Sequence, residues 1–139
     1  MYKVEKRFTL PIGHRLSKNA DRCHSIHGHN ITVLVGVKSE KLNSQDMVID
    51  FYDLKKIVTD ILDTFDHCLL LNRVDADISN QLKNMGMRTM LLENDPTAEK
   101  LSELLYNQIT MALALKNLKI SMDYVTVYEN ENSKATYSE

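Results

Sequence analysis

His27-Gly28-His29 is the densest chemistry in this sequence, two imidazoles separated by a single glycine. If these residues lie on a strand, positions i and i+2 point to one face with Cα atoms roughly 6.6 Å apart. Two rings so placed converge on one cation, and Gly28 adds no bulk between them. A metal centre needs at least one more ligand, and His14, near the end of an earlier strand, is the best placed of the remaining histidines. Three histidines around zinc leave a fourth position open, the arrangement of catalytic rather than structural sites. His24 has the opposite parity to His27 and His29 and is left out of the ligand set. Cys23 precedes His27 by four residues, which puts its thiol at the mouth of the same site. Three readings stand for it: a thiol acidified by a nearby cation and acting as base or nucleophile, a further zinc ligand, or an inert loop cysteine. Asp66-His67 has the composition of an acid/base pair in which a carboxylate orients an imidazole. Cys68, beside the apolar run 69–71, reads as buried packing.

The elements that must position these groups follow from periodicity. Residues 2–10 alternate apolar and polar, broken only at Lys6, and predict a half-buried strand that Pro11 and Gly13 end. Residues 29–37 alternate again through Ile31, Val33, Val35 and Val37. Residues 51–65 change to a helical stripe of Leu54, Ile57, Val58, Ile61, Leu62 and Phe65, with Asp50 as the N-cap. A second helix fits 97–115, with Leu101, Leu104, Leu105, Ala112 and Leu115 inward. Its start is marked either by Asp95 with Pro96 in the first turn or by Thr97 as cap. Residues 123–130 and 134–138 predict a closing hairpin. Between the helices, 77–84 reads as a short helix stopped at Gly86, followed by an extended 88–92. Strands and helices in this order predict an α+β fold, an antiparallel four-stranded sheet with two helices on one face. The other face needs its own cover.

Composition sets the class. The 139 residues carry 17 Lys+Arg against 19 Asp+Glu, a net charge of −2. No basic face is available for nucleic acid or a membrane surface, since neither attraction works without one. No apolar run reaches membrane-spanning length, and the charged, alternating N-terminus does not read as a signal peptide. Two cysteines are too few for a disulfide scaffold, so a cytoplasmic protein is expected. No linker or repeat divides the chain, and one domain over 1–139 is expected.

Taken together, the motifs resemble those of the 6-pyruvoyltetrahydropterin synthase / 6-carboxytetrahydropterin synthase family. The resemblance runs through Phe8-Thr9-Leu10-Pro11-Ile12-Gly13-His14-Arg15-Leu16, then Cys23-x-x-x-His27-Gly28-His29-Asn30, then Met47-Val48-Ile49-Asp50-Phe51. It continues through Phe65-Asp66-His67 with Leu71-Asn72, Asp95-Pro96-Thr97-Ala98-Glu99 and Val125-x-Val127-Tyr128-Glu129. It implies a T-fold whose copies close into a barrel as a dimer of trimers. It implies Zn²⁺ held by His14, His27 and His29, Cys23 as general base, and Asp66 and His67 as a second acid/base unit supplied across a subunit boundary. Glu129 is implied as the anchor of a pterin ring, and Thr97 as part of the pterin pocket. The three-residue spacing between Cys23 and His27 resembles the bacterial carboxy-forming branch. The implied reaction converts 7,8-dihydroneopterin triphosphate to 6-carboxy-5,6,7,8-tetrahydropterin with loss of triphosphate and acetaldehyde, feeding queuosine or deazapurine synthesis. The alternatives are the pyruvoyl-forming reaction on the same substrate and a non-catalytic pterin-binding module. Arg15, Lys18 and Arg22 read as solvated loop charge. Glu129-Asn130 departs from the family's usual Glu-Thr.

Overall fold

The computed structural model describes residues 1–139 and contains six strands and three α-helices. In chain order these are β1 (Tyr2–His14), β2 (His27–Ser39), α1 (Phe51–Leu62), β3 (Cys68–Asn72), α2 (Ala76–Asn84), β4 (Thr89–Leu92), α3 (Ala98–Leu115), β5 (Ser121–Asn130) and β6 (Ser133–Tyr137). One sheet runs in the order β4-β3-β1-β2-β5-β6. The α+β class and the predicted antiparallel β1-β2-β5-β6 unit are present. The sheet is nevertheless six-stranded and mixed rather than four-stranded, because β3 and β4 add parallel strands beyond β1. The short helix expected over 77–84 is present as α2, and the extended 88–92 as β4, although neither had been assigned a place against the sheet.

Physical reasons account for the difference. β3 is a continuous apolar run, Cys-Leu-Leu-Leu, without the period-2 signal of a half-solvated strand. That is the pattern of a parallel strand covered on both faces. Leu70 pairs in register with His14 and joins the main core, whereas the equally buried Leu71 points to the other face and lies outside that core. α2 supplies the cover there: Ser79, fully buried, bonds Thr89 at 2.6 Å, and Thr89 pairs with Leu69. The expected second cover is therefore local. Along β1, β2, β5 and β6 the same face carries Thr9, Thr32, Leu34 and Tyr128 with no helix over it.

The main core lies between the sheet and helices α1 and α3. Leu54, Ile57, Val58 and Leu62 of α1 meet Leu101, Leu105, Ile109 and Leu113 of α3 over Val33, Val35, Val125 and Val127. Each such side chain, fully buried, contributes about 1.5–3 kcal/mol. Leu115, expected to face inward, is exposed, and Leu113 occupies the inward position as the stripe Leu101, Leu105, Ile109, Leu113 runs its course. Asp50 caps α1 through the Tyr52 amide, and Thr97 rather than Asp95 caps α3, accepting from the Lys100 amide. Gly86, at φ 81°, stands where α2 ends, as its lack of a Cβ permits. Lys6, the break in the β1 alternation, lies 5.7 Å from the centroid of the Phe51 ring and so covers an exposed aromatic. β1 does not end at Pro11: it pairs with β2 along its full length to His14↔His27. That extension delivers the first histidine to the second.

Candidate metal and pterin site

Register builds the histidine cluster. His14 pairs directly with His27, and His29 follows two residues on along the same face of β2. The three ring centroids lie 4.5, 5.0 and 5.1 Å apart. One ligand atom from each falls within 4.8 Å of the others, so the three could hold a metal ion. His14 is buried, whereas His27 and His29 are half-buried at the open end of the core face. Gly28 matters for a different reason from the one expected. Its missing side chain would point to the opposite face, where a Cβ would stand 3.0 Å from the Ile12 carbonyl oxygen. It therefore preserves the β1–β2 pairing, not the space between the rings.

Backbone carbonyls set the rings. His14 Nδ1–H donates to the Pro96 carbonyl at 2.8 Å and His27 Nδ1–H to the Ser25 carbonyl at 2.8 Å. Both rings thus present a bare Nε2 toward the cluster, the arrangement by which outer hydrogen bonds orient metal-binding histidines. His14 Nε2 is buried and has no hydrogen-bond partner. A buried acceptor left unpaired is costly, and a cation between the rings satisfies it, so the donor set fits a metal. Burial, together with the neighbouring His27 and His29, pushes the His14 imidazole below its ordinary 6.5, against the raising influence of the Pro96 carbonyl and Glu129.

That depression has a sign that can be measured. A histidine whose folded value is lowered contributes stability fully present above its unfolded value and lost as pH falls through the folded one. The metal-free protein should therefore lose melting temperature as pH drops from about 7 to about 5. His14→Ala should flatten that slope, and an unchanged slope would contradict the assignment.

The other expected residues divide into two groups. Glu129 lies beside the histidines, and Cys23 comes within electrostatic reach of Glu129. Glu129 sits at a β5 irregularity with Oε1 3.9 Å from His14 Nε2. Cys23 occupies a short 3-10 turn, Arg22–His24, capped by Asp21. Burial first, then Asp21 and more weakly Glu129, push its thiol up from the usual 9.0. As a bare thiol it is a poor base, and a cation in the cluster would act in the opposite direction.

Asp66-His67 does not join them. His67 Nδ1 contacts Asp66 Oδ1 at 3.0 Å, and His67 has φ 51°, an unusual conformation for a non-glycine residue. The pair is exposed, and His67 lines a cleft with Gly13, Leu69, Leu82 and Arg88 on the α2 side of the sheet, opposite the three histidines. Thr97 contributes a helix cap, with the site served instead by the carbonyl of the preceding Pro96. Cys68 is buried as expected.

Two contributors, Asp95 and Pro96, marked only the start of a helix in the sequence. Pro96 acts through its backbone. Asp95, buried, accepts from Ser17 Oγ, from the Lys18 amide at 2.9 Å and from Asn72 Nδ2 at 2.8 Å. Burial alone would raise its carboxyl, but these hydrogen bonds outweigh it and hold it below the usual range. Asp95 thereby fastens the start of α3, and the Pro96 carbonyl with it, to the chain on either side of the site. Arg15 is not solvated loop charge: it pairs with buried Asp75 and bonds His24. His24, with Nε2 taken by Arg15, is no ligand.

The chain is similar to known proteins over most of its length. The family model described as 6-pyruvoyl tetrahydropterin synthase matches residues 3–139. A Rickettsia conorii protein named 6-carboxy-5,6,7,8-tetrahydropterin synthase is 32% identical over 111 residues, covering 78% of this chain and 80% of its own. A Haemophilus influenzae protein of the same name is 27% identical over 146 residues, with all of both chains covered. The solved structure of Caenorhabditis elegans 6-pyruvoyl tetrahydropterin synthase superposes with a TM-score of 0.71 at 23% identity, covering 99% of this chain and 95% of that one, and shares the fold. No helix is long and apolar enough to cross a membrane. A match over nearly the whole length, on a chain whose paired strands gather three histidines, leads to one assignment: this chain belongs to the 6-pyruvoyl tetrahydropterin synthase family.

Proposed function

We propose that the protein is a zinc-dependent lyase that converts 7,8-dihydroneopterin triphosphate and one water to 6-carboxy-5,6,7,8-tetrahydropterin, releasing triphosphate and acetaldehyde. The observation that carries the reading is the histidine cluster with its buried, unpartnered His14 Nε2. The carboxy-forming branch is supported by the names of the Rickettsia and Haemophilus relatives and by the three residues between Cys23 and His27. The family model's description favours the second reading, pyruvoyl formation from the same substrate.

His14, His27 and His29 are the proposed zinc ligands. Bound there, zinc supplies Lewis-acid polarisation of the substrate's side-chain oxygens, which acidifies the adjacent C–H, and a positive charge that favours the Cys23 thiolate. The Glu129 carboxylate accepts the paired N–H groups of the pterin ring, a charge-assisted contact that fixes the ring's orientation. Because Glu129 lies beside His14, a ring held by it presents its side chain to the histidine cluster. Thr97, at the head of α3, forms part of the proposed pocket wall. Cys23 removes the activated proton and returns it elsewhere on the side chain. Asp66 orients His67 as the second proton carrier. Within one chain that pair lies across the sheet from the ligands, so the proposal requires His67 from a neighbouring copy. A dimer of trimers, in which each T-fold chain of residues 1–139 completes its neighbour's site, meets that requirement. It also places a second copy against open sheet edges. The setting is cytoplasmic, the product a precursor for queuosine or deazapurine synthesis, with no nucleic-acid or membrane partner.

The direct test supplies zinc-loaded protein with 7,8-dihydroneopterin triphosphate and follows inorganic triphosphate. Zinc-dependent release is expected, and stable substrate in the presence of bound zinc would overturn both lyase readings.

A further inference from the structure

We infer that Arg15 is a positioning residue that clamps the Cys23 turn in place, and that it is not a cation for the substrate's triphosphate. Arg15 follows His14 at the end of β1, with only 15% of its side chain exposed. All three guanidinium nitrogens are engaged. Nε donates to the His24 carbonyl at 2.7 Å, one terminal nitrogen donates to His24 Nε2 at 2.7 Å, and the other pairs with Asp75. Asp75 is 8% exposed and belongs to the turn that follows β3. Arg15 therefore ties the turn carrying Cys23 to the sheet's outer strands through its planar fork.

Little else holds that turn. Cys23 lies outside the sheet and the α-helices, in a three-residue 3-10 segment. Its carbonyl accepts from the Leu16 amide at 2.9 Å, and its own amide donates to Asp21 two residues away. Without Arg15, the hydrogen bonds left between the turn and the strands beside it are the Leu16 amide to the Cys23 carbonyl and, at the turn's end, His27 Nδ1 to the Ser25 carbonyl. With its charge paired to Asp75 and each of its three nitrogens already holding a protein contact, the guanidinium would have to give up a partner to serve a phosphate. Lysine cannot reproduce three simultaneous contacts from one planar group.

The inference rests on the proposed proton-carrying role of Cys23. Its test compares zinc-loaded, full-length Arg15→Gln, Arg15→Lys and Arg15→Gln/Asp75→Asn with wild type. The double variant relieves the buried carboxylate that the single change leaves unpaired. Two readouts are taken: steady-state kinetics with dihydroneopterin triphosphate, and the rate of Cys23 alkylation by iodoacetamide, read by peptide mass with Cys68 as internal reference. The clamp predicts that kcat falls roughly 10- to 100-fold, the consequence of a displaced catalytic group. KM should stay within about twofold, and Cys23 should alkylate severalfold faster. The double variant should recover melting temperature but not kcat. A raised KM at unchanged kcat would make Arg15 a phosphate ligand and overturn the inference. So would recovery of kcat by the double variant, or unchanged Cys23 alkylation in every variant. If Arg15→Gln does not fold, the lysine and double variants carry the same readouts. A Cys23→Ser protein turning over at the wild-type rate would defeat the catalytic reading of Cys23, while alkylation still reports on the clamp.

Discussion

Replacing His27 or His29 with glutamine is expected to leave a folded protein that no longer retains stoichiometric zinc. Both side chains are half-buried at the open end of the site, so their loss opens no core cavity. Each removes one of only three ligands, and two imidazoles bind a divalent ion far more weakly than three. Lewis-acid stabilisation is worth several kcal/mol, and every 1.36 kcal/mol is a factor of ten. Turnover should therefore fall about 1,000-fold or more. His14→Ala should do the same and also lose stability, because it empties a buried position between Pro96 and Leu70. Zinc content after dialysis, measured by atomic absorption beside a thermal melt, separates the two effects. Full zinc occupancy in His27→Gln would show that the cluster is not the metal site.

The second large effect is expected at Cys23. Cys23→Ala should keep its zinc, since the thiol is not one of the three clustered donors, while kcat falls roughly 10²- to 10⁴-fold, the usual worth of a positioned acid/base group. His67→Ala should be impaired for a parallel reason. The two differ in what mixing does. In the proposed assembly Cys23 and His67 of one site come from different chains, so mixed oligomers of the two inactive variants contain some sites with both groups intact. Activity should return on subunit exchange. If exchange is verified by mass and no activity returns, the pair acts within one chain or not at all.

The histidine cluster was legible in the sequence because strand parity translates spacing directly into a shared face. His27 and His29 needed only the period of two. His14 needed in addition the β1–β2 register, which no local pattern prints, and its place rested on its position near a strand end. The amphipathic stripes of α1 and α3 were legible for the same reason, as was the stop at Gly86. What escaped notice lacked periodicity. The apolar run of β3 could not be told from buried packing, and without it neither the parallel extension of the sheet nor the job of α2 could be foreseen. Arg15 looked like loop charge because its partners, His24 and Asp75, are nine and sixty residues away. Pro96 serves the site through a carbonyl, a group every residue owns, so its type marked the start of α3 and not its part in the site. The separation of Asp66-His67 from the metal cluster is likewise a property of the sheet's two faces, visible only once β3 is seen to pair beside β1.

Carboxy and pyruvoyl formation differ in the bond broken, and the reaction products distinguish them. Zinc-loaded protein should convert 7,8-dihydroneopterin triphosphate to 6-carboxy-5,6,7,8-tetrahydropterin, with acetaldehyde trapped as its hydrazone in equal amount to the triphosphate released. A 6-pyruvoyl side chain with no acetaldehyde would contradict the carboxy-forming assignment and move the protein to the other branch of its family.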